Sequence, residues 1–349
     1  MGTSHALEVS NLQTRFFAKF GTVRAVDGVS FELRQGETLG LVGESGSGKS
    51  VTGLSLMRLV SSPGRIVSGS VKLDGHDILD LSDEAMRRIR GDKISMVFQN
   101  PMTALNPALR IGWQLEETYL AHAKGTRAEA RQEVQQALLD VGISDPERRA
   151  NSYPHEYSGG MRQRIVLAMA ILNKPAVLIA DEPTTALDVT VQAQVLELMK
   201  GLSLDHQTAM LLITHDMGVV ANMCDRVAVM YAGQLVEVGP VVGAFHEPLH
   251  PYTWALLQSM PHMGNVPTRL SVIEGQPPDM TAPPDGCRFR DRCPFAEEIC
   301  EQPPELIELE PGRYSRCWIA QRGERFEGGT RDGGTPDAAP STTVVDHGG

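Results

Sequence analysis

No apolar run in the 349-residue chain approaches the roughly 18 residues that a membrane-spanning helix needs; IVLAMAIL, Ile165 to Leu172, is among the longest. The first stretch, MGTSHALEVSNLQTRFF, lacks the basic, apolar and small-residue order of a secretory signal, so a cytosolic chain is expected. A basic excess is also missing. The formal net charge of -11 argues against a nucleic-acid surface, and no nucleic-acid partner is expected. Internal repeats are not evident. Cysteine is scarce at five residues, and disulfides are not expected in a reducing compartment, yet four of the five fall in the last fifth of the chain.

What is present suits a folded protein of two or three units: 41% hydrophobic and 21% charged residues are close to average globular usage. The strongest local signal is LGLVGESGSGKSVTGLSLM, in which an apolar strand runs into Gly43-x-x-x-x-Gly48-Lys49-Ser50 and a helix pattern follows. Glycines let successive backbone amides curl around phosphate oxygens, and the helix adds its positive N-terminal end. Gly43, Glu44, Ser45, Gly46, Ser47, Gly48, Lys49, Ser50 and Val51 are therefore read as nucleotide-binding, with Lys49 reaching the terminal phosphates and Ser50 ligating magnesium.

A second strand, AVLIADEP, is apolar until it reaches Asp181 and Glu182. Continuous apolar runs suit parallel strands buried on both faces, and ligands bind at the carboxyl ends of such strands. One acid is expected to hold magnesium and its neighbour, facing the other way, to polarise an attacking water; an isolated Asp-Glu pair would more simply be solvated. A third strand, AMLLITHD, delivers His215 to the same edge, where it can bond the γ phosphate and orient water.

Together with YSGGMRQRIVLAMAI from Tyr157, these pieces resemble the nucleotide-binding subunits of ABC transporters, over about residues 6 to 260. Tyr157 and Met161 stand where the general signature has leucine and glutamine, but Ser158, Gly159 and Gly160 are intact. The resemblance implies that this signature faces ATP held by the phosphate loop of a partner ATPase. It further assigns Phe16, with Phe17 and Phe20 close by, to adenine stacking, Gln99 to magnesium, and Ala186 to Asp188 to communication across the dimer. The stretches FQNPMTALNP, IADEPTTALDVTVQAQVLELM and LHPYTWALLQSMP are similar to ATPase subunits of bacterial dipeptide and oligopeptide importers, whose relatives also handle nickel and other solutes. Implied partners are a second, non-identical ABC ATPase, two transmembrane permease subunits and an extracytoplasmic solute-binding protein, with the chain peripheral on the cytoplasmic face. A non-transport ABC ATPase is the rival, but such proteins carry a long coiled-coil insertion or two cassettes, and only one phosphate loop is present.

The expected fold is α/β: a P-loop cassette over 1–260 with an antiparallel β subdomain and an inserted helical subdomain at about 100–165. A small cysteine-bearing extension over 261–322 and a disordered tail over 323–349, poor in large apolar groups, complete it. In TRAEARQEVQQALLDVGI the apolar positions Ala130, Val134, Leu138 and Val141 read as internal packing. Cys287, Cys293, Cys300 and Cys317 are separated by five, six and sixteen residues. Clustered soft ligands favour metal over disulfide, and the tight Cys-x2-4-Cys pair of structural zinc sites is missing, leaving an iron-sulfur cluster, zinc or unliganded thiols. The family resemblance implies a 4Fe-4S cluster. Cys224 reads as a buried small residue.

Overall fold

The computed structural model describes residues 5–19, 21–99, 104–123, 125–185, 188–260 and 273–326. Phe20, Ala186, Leu187 and the tail beyond 326 lie outside the described residues. Two sheets form. The larger has the order β11 (Ile307–Glu310), β12 (Arg313–Ser315), β10 (Gln234–Pro240), β9 (Arg226–Tyr231), β3 (Thr38–Val42), β8 (Ala209–Thr214), β7 (Val177–Asp181), β6 (Ile94–Val97), and the smaller β2 (Gly21–Arg34), β1 (His5–Ala18), β4 (Gly64–Leu73), β5 (His76–Asp77).

The parallel heart of the large sheet is made by β3 (Thr38–Val42), β6 (Ile94–Val97), β7 (Val177–Asp181), β8 (Ala209–Thr214) and β9 (Arg226–Tyr231). β3, β6, β7 and β8 are buried along their whole length, as their largely apolar sequences suit strands covered on both faces. Register brings their carboxyl ends level: Val42 pairs with Thr214, Asp181 with Ile213, and Val97 with Ala180. Gly43, Glu182, His215 and Phe98–Gln99 therefore leave the sheet side by side.

The smaller antiparallel sheet, β1 (His5–Ala18), β2 (Gly21–Arg34), β4 (Gly64–Leu73) and β5 (His76–Asp77), packs over the helix Lys49–Leu56. Thr14 and Ser55 hydroxyls meet there at 2.7 Å. The helical part comprises Ile111–Leu120, Arg127–Asp140, Pro146–Ala150 and Gly159–Ile171. Thr126 and Glu129 form a capping box that starts the second of these. Ala130, Val134, Leu138 and Val141 are all buried, the last three within the core that joins these helices to β7 and β8. No helix among the described residues is long and apolar enough to cross a membrane.

The C-terminal extension is built onto the cassette sheet. β10 (Gln234–Pro240) turns back antiparallel on β9 through Ala232 and Gly233, both at positive φ as a tight two-residue hairpin requires. β12 (Arg313–Ser315) then pairs with β10, and β11 (Ile307–Glu310) with β12, so the extension lengthens the cassette sheet. Phe289 and Cys293 share one hydrophobic cluster with Val42, Tyr231 and Tyr252. A segment this short cannot bury enough apolar surface alone, so it borrows a core.

At the seam, Glu237 of β10 is almost wholly buried and accepts from the Leu249 amide at 2.9 Å. Burial pushes its carboxyl up to about 7, against the opposing pull of that amide and of Arg313. A folded pKa raised from 4.5 means that this stabilisation is complete below about 4.5 and is lost as pH rises through about 7. Glu237→Gln should therefore gain stability over the parent as pH rises from about 5 to about 8, on the order of 3 kcal/mol, read by denaturant unfolding at both pH values. A pH-independent difference would refute the neutral-carboxyl assignment.

Candidate functional site

The loop from Gly43 to Ser50 joins β3 to the helix Lys49–Leu56, and it is pressed against backbone on both sides. A Cβ at Gly43 would lie 2.1 Å from the Met230 carbonyl oxygen, and one at Gly48 would lie 2.2 Å from that of Ala25. Gly48 has φ +107 and Gly46 +80, conformations that side-chain-bearing residues rarely adopt. Gly233 donates its amide to the Ser47 carbonyl at 2.9 Å, so the β9–β10 turn braces the loop. Lys49 is buried and donates to the Gly43 and Glu44 carbonyls at 2.7 and 2.9 Å. Burial lowers its ammonium pKa, opposed by Glu182, Asp181 and Glu44. Val51 is partly buried and packs against the core beneath the small sheet.

Ser50 donates its hydroxyl to Asp181 Oδ1 at 3.0 Å. Burial raises the Asp181 carboxyl, the Ser50 bond opposes it, and the Glu182 charge adds to the rise. Glu182 sits at φ +45, a costly conformation for glutamate, which turns its side chain away from that of Asp181. Its Oε1 lies 3.1 Å from His215 Nδ1, and its Oε2 accepts from Gln99 Nε2 at 2.8 Å and Thr185 Oγ1 at 3.0 Å. Burial would raise Glu182, but the His215 and Thr185 hydrogen bonds, with the charges of His215 and Lys49, leave it lowered. The structure thus gathers Lys49, Ser50, Gln99, Asp181, Glu182 and His215. Two adjacent carboxylates have been pushed in opposite directions, as separate roles demand.

Other anticipated residues stand apart from this group. Ser158 caps the helix Gly159–Ile171, accepting from the Met161 amide, and a Cβ at Gly160 would strike Val191 at 2.6 Å. Tyr157 is buried and donates its hydroxyl to the Arg149 carbonyl, which anchors the signature in the helical part. Asp188 caps the helix Val189–His206 through the Val191 amide at 3.0 Å. Phe16, opposite Val23, is half-buried against Gly64, whereas Phe17 is 47% exposed.

The four distal cysteines line one small cavity with His250. Burial raises Cys287, and pushes Cys293 up to about 12 and Cys317 up to about 11. Backbone amides oppose it: Phe289 and Arg290 at Cys287, Phe295 at Cys293, and Ile319 and Ala320 at Cys317. No three His, Cys, Asp or Glu side chains among the described residues converge closely enough to share a single metal ion. His250 is buried and neutral, its pKa lowered to about 3 mainly by burial, and its Nδ1 accepts from the Tyr252 amide at 3.0 Å. Cys224 lies against Gly40, and burial pushes it up to about 12.

Sequence reasoning missed Tyr252, whose hydroxyl accepts from the Glu44 amide at 2.7 Å, and Arg292, which grips the Glu44 carboxylate. Both lie more than 200 positions from the loop. Tyr252 lies in LHPYTWALL, noted for resemblance without a role, and Arg292 in GCRFRDRCPFAEEIC, where only the cysteines drew attention.

Comparison with known proteins adds three findings. Family profiles described as "ABC transporter" and "Oligopeptide/dipeptide transporter, C-terminal region" match residues 26–185 and 236–300. The chain is 49% identical over 316 residues to the oligopeptide transport ATP-binding protein OppD of Bacillus subtilis, covering 90% of this chain and 88% of that protein. It is 50% identical over 322 residues to the dipeptide transport ATP-binding protein DppD of the same organism, covering 91% and 96%. Among solved structures, the dimeric ATP-binding cassette MJ0796 bound to ADP and Pi superposes with a TM-score of 0.60 at 27% identity, over 67% of this chain and 98% of that one.

The close approaches rank the glycines. Gly48→Ala should destabilise the fold by more than about 3 kcal/mol and abolish nucleotide binding, because a Cβ there meets backbone. At Gly46, where a Cβ meets open space, alanine should cost only about 1 kcal/mol. Thermal unfolding with nucleotide titration checks the order, and equal effects would sink the steric account.

Proposed function

The chain belongs to the ATP-binding subunits of the oligopeptide and dipeptide ABC transporters, and from that premise we propose that it hydrolyses ATP to drive bacterial import of di- or oligopeptides. The observation that carries the chemistry is the Glu182 carboxylate, held by His215, Gln99 and Thr185 at the strand ends beside the phosphate loop. Bound ATP would lay its β and γ phosphates in the loop, with Lys49 leaving the Gly43 and Glu44 carbonyls to meet them. Phe16, or its more exposed neighbour Phe17, would stack on adenine.

Ser50 Oγ and Asp181 Oδ1, 3.0 Å apart, with the Gln99 amide oxygen, are the hard oxygen donors that suit magnesium. These residues would hold the ion, which neutralises charge on the β and γ phosphates when bound. Glu182, kept ionised, accepts a hydrogen bond from the attacking water and aligns it with the γ phosphorus; His215 fixes that carboxylate and contacts the γ phosphate. In this reading Ser158, Gly159 and Gly160 serve the ATP of a second, non-identical ATPase subunit, since helix N-terminal amides and a hydroxyl suit an anion. Closure of the two subunits would move two permease subunits at the cytoplasmic face of the membrane, supplied with solute by an extracytoplasmic binding protein.

We assign the four-cysteine cavity to a 4Fe-4S cluster that staples the extension. Support comes from four thiols around one cavity and from backbone amides turned toward three of them, an environment that favours thiolate ligands once iron is bound.

In the assembled complex, Glu182→Gln should cut ATP turnover by roughly 10² to 10⁴ while nucleotide binding is preserved, and turnover at the parent rate would remove Glu182 from the mechanism. Protein purified without oxygen should carry about four irons and four sulfides per chain, lost on Cys→Ser substitution at the four positions. One zinc and no iron would replace the cluster with a zinc staple.

A further inference from the structure

We propose that Arg292 is a positioning residue for ATP binding, through which the C-terminal extension holds the phosphate loop in its phosphate-receiving shape. Arg292 lies in the short 3-10 turn Arg290–Arg292, immediately before Cys293, and its side chain is only 5% exposed. Its guanidinium forks onto Glu44, Nη1 to Oε2 at 2.7 Å and Nη2 to Oε1 at 2.9 Å. The remaining donors are also used: Nε reaches the Glu274 carbonyl at 3.0 Å, Nη2 the Ile273 carbonyl at 3.2 Å, and Nη1 the Tyr231 hydroxyl at 3.3 Å. The group lies over the Tyr231 and Phe289 rings at 5.7 and 6.0 Å. All five N–H groups of a buried cation are thus satisfied, which fixes its position.

What it fixes is the second residue of the loop. Glu44 is held at three points: its carboxylate by Arg292, its amide by the Tyr252 hydroxyl, and its carbonyl by Lys49. Only the third must break when Lys49 turns to phosphate. The other two keep the loop backbone in place without occupying the face that receives the anion. A loop that had to be ordered by its ligand would spend binding free energy on that ordering, so loss of the fork should appear as weaker ATP binding and leave the chemical step intact. The extension thereby acquires a role in the ATPase reaction that a staple alone would not have. The proposal rests on the reading that the loop binds ATP.

The test uses the full chain, alone for MgATP affinity and in the assembled complex for KM and kcat. Arg292→Gln should raise Kd and KM for MgATP about tenfold, with kcat at saturation within twofold and iron content unchanged. Glu44→Gln, which removes the same fork from the other side, should do likewise, and the double variant should be no worse than the weaker-binding single one. Tyr252→Phe keeps the ring but deletes the acceptor of the Glu44 amide, and should raise KM severalfold. Arg322→Gln breaks an exposed pair with Glu297 elsewhere in the extension and should leave KM where it was. Unchanged KM in folded Arg292→Gln and Glu44→Gln, or additive losses in the double variant, would overturn the proposal. A fall in kcat and melting temperature at constant KM would reduce Arg292 to a structural contact. Should Arg292→Gln fail to fold, Glu44→Gln and Tyr252→Phe decide it. Parent protein that binds no MgATP would instead refute the ATP reading itself.

Discussion

Everything in the catalytic region depends on how closely backbone is pressed against the phosphate loop. Met230 and Ala25 carbonyls occupy the space where side chains at Gly43 and Gly48 would otherwise stand, and Gly233 closes the loop from a third side. These contacts come from β9, β2 and the β9–β10 turn, so the loop's shape is a product of both sheets. The helix Lys49–Leu56 then begins directly after Gly48, with its first amides at the end of the loop.

The charges around the loop are arranged so that each has a reason for its state. Asp181, buried and bonded to Ser50, is raised; Glu182, gathered by three donors, is lowered; Lys49 is buried among carbonyls and carboxylates that partly offset its desolvation. Neighbours in sequence can differ this way because the end of a strand points one side chain inward, and the positive φ of Glu182 turns the next across the strand ends. Level strand ends, set by the pairings of β6 with β7 and of β7 with β8, bring Gln99 and His215 within reach of a single carboxylate.

The C-terminal extension is joined to this assembly by sheet, core and charge. β12 adds to β10, Phe289 packs edge-on to Tyr231 and tilted against Tyr252, Arg288 pairs with Asp27, and Arg292 with Glu44. A short, cysteine-bearing segment with little core of its own gains a fixed position in this way. The contacts work in both directions, because the loop gains buried partners that the cassette lacks.

Sequence alone determined the elements whose meaning is local. The glycine-rich loop, the apolar runs ending in Asp181-Glu182 and in His215, and the stripe from Ala130 to Val141 are legible because steric freedom and burial periodicity act on neighbouring residues. Tertiary structure alone decided which distant groups meet: Gln99 with Glu182, and Tyr252 and Arg292 with Glu44. It also joined the extension to the cassette sheet through β12 and β10. An ion pair spanning 248 positions leaves no periodicity in the chain, since its partners are brought together only by strand register and a shared core.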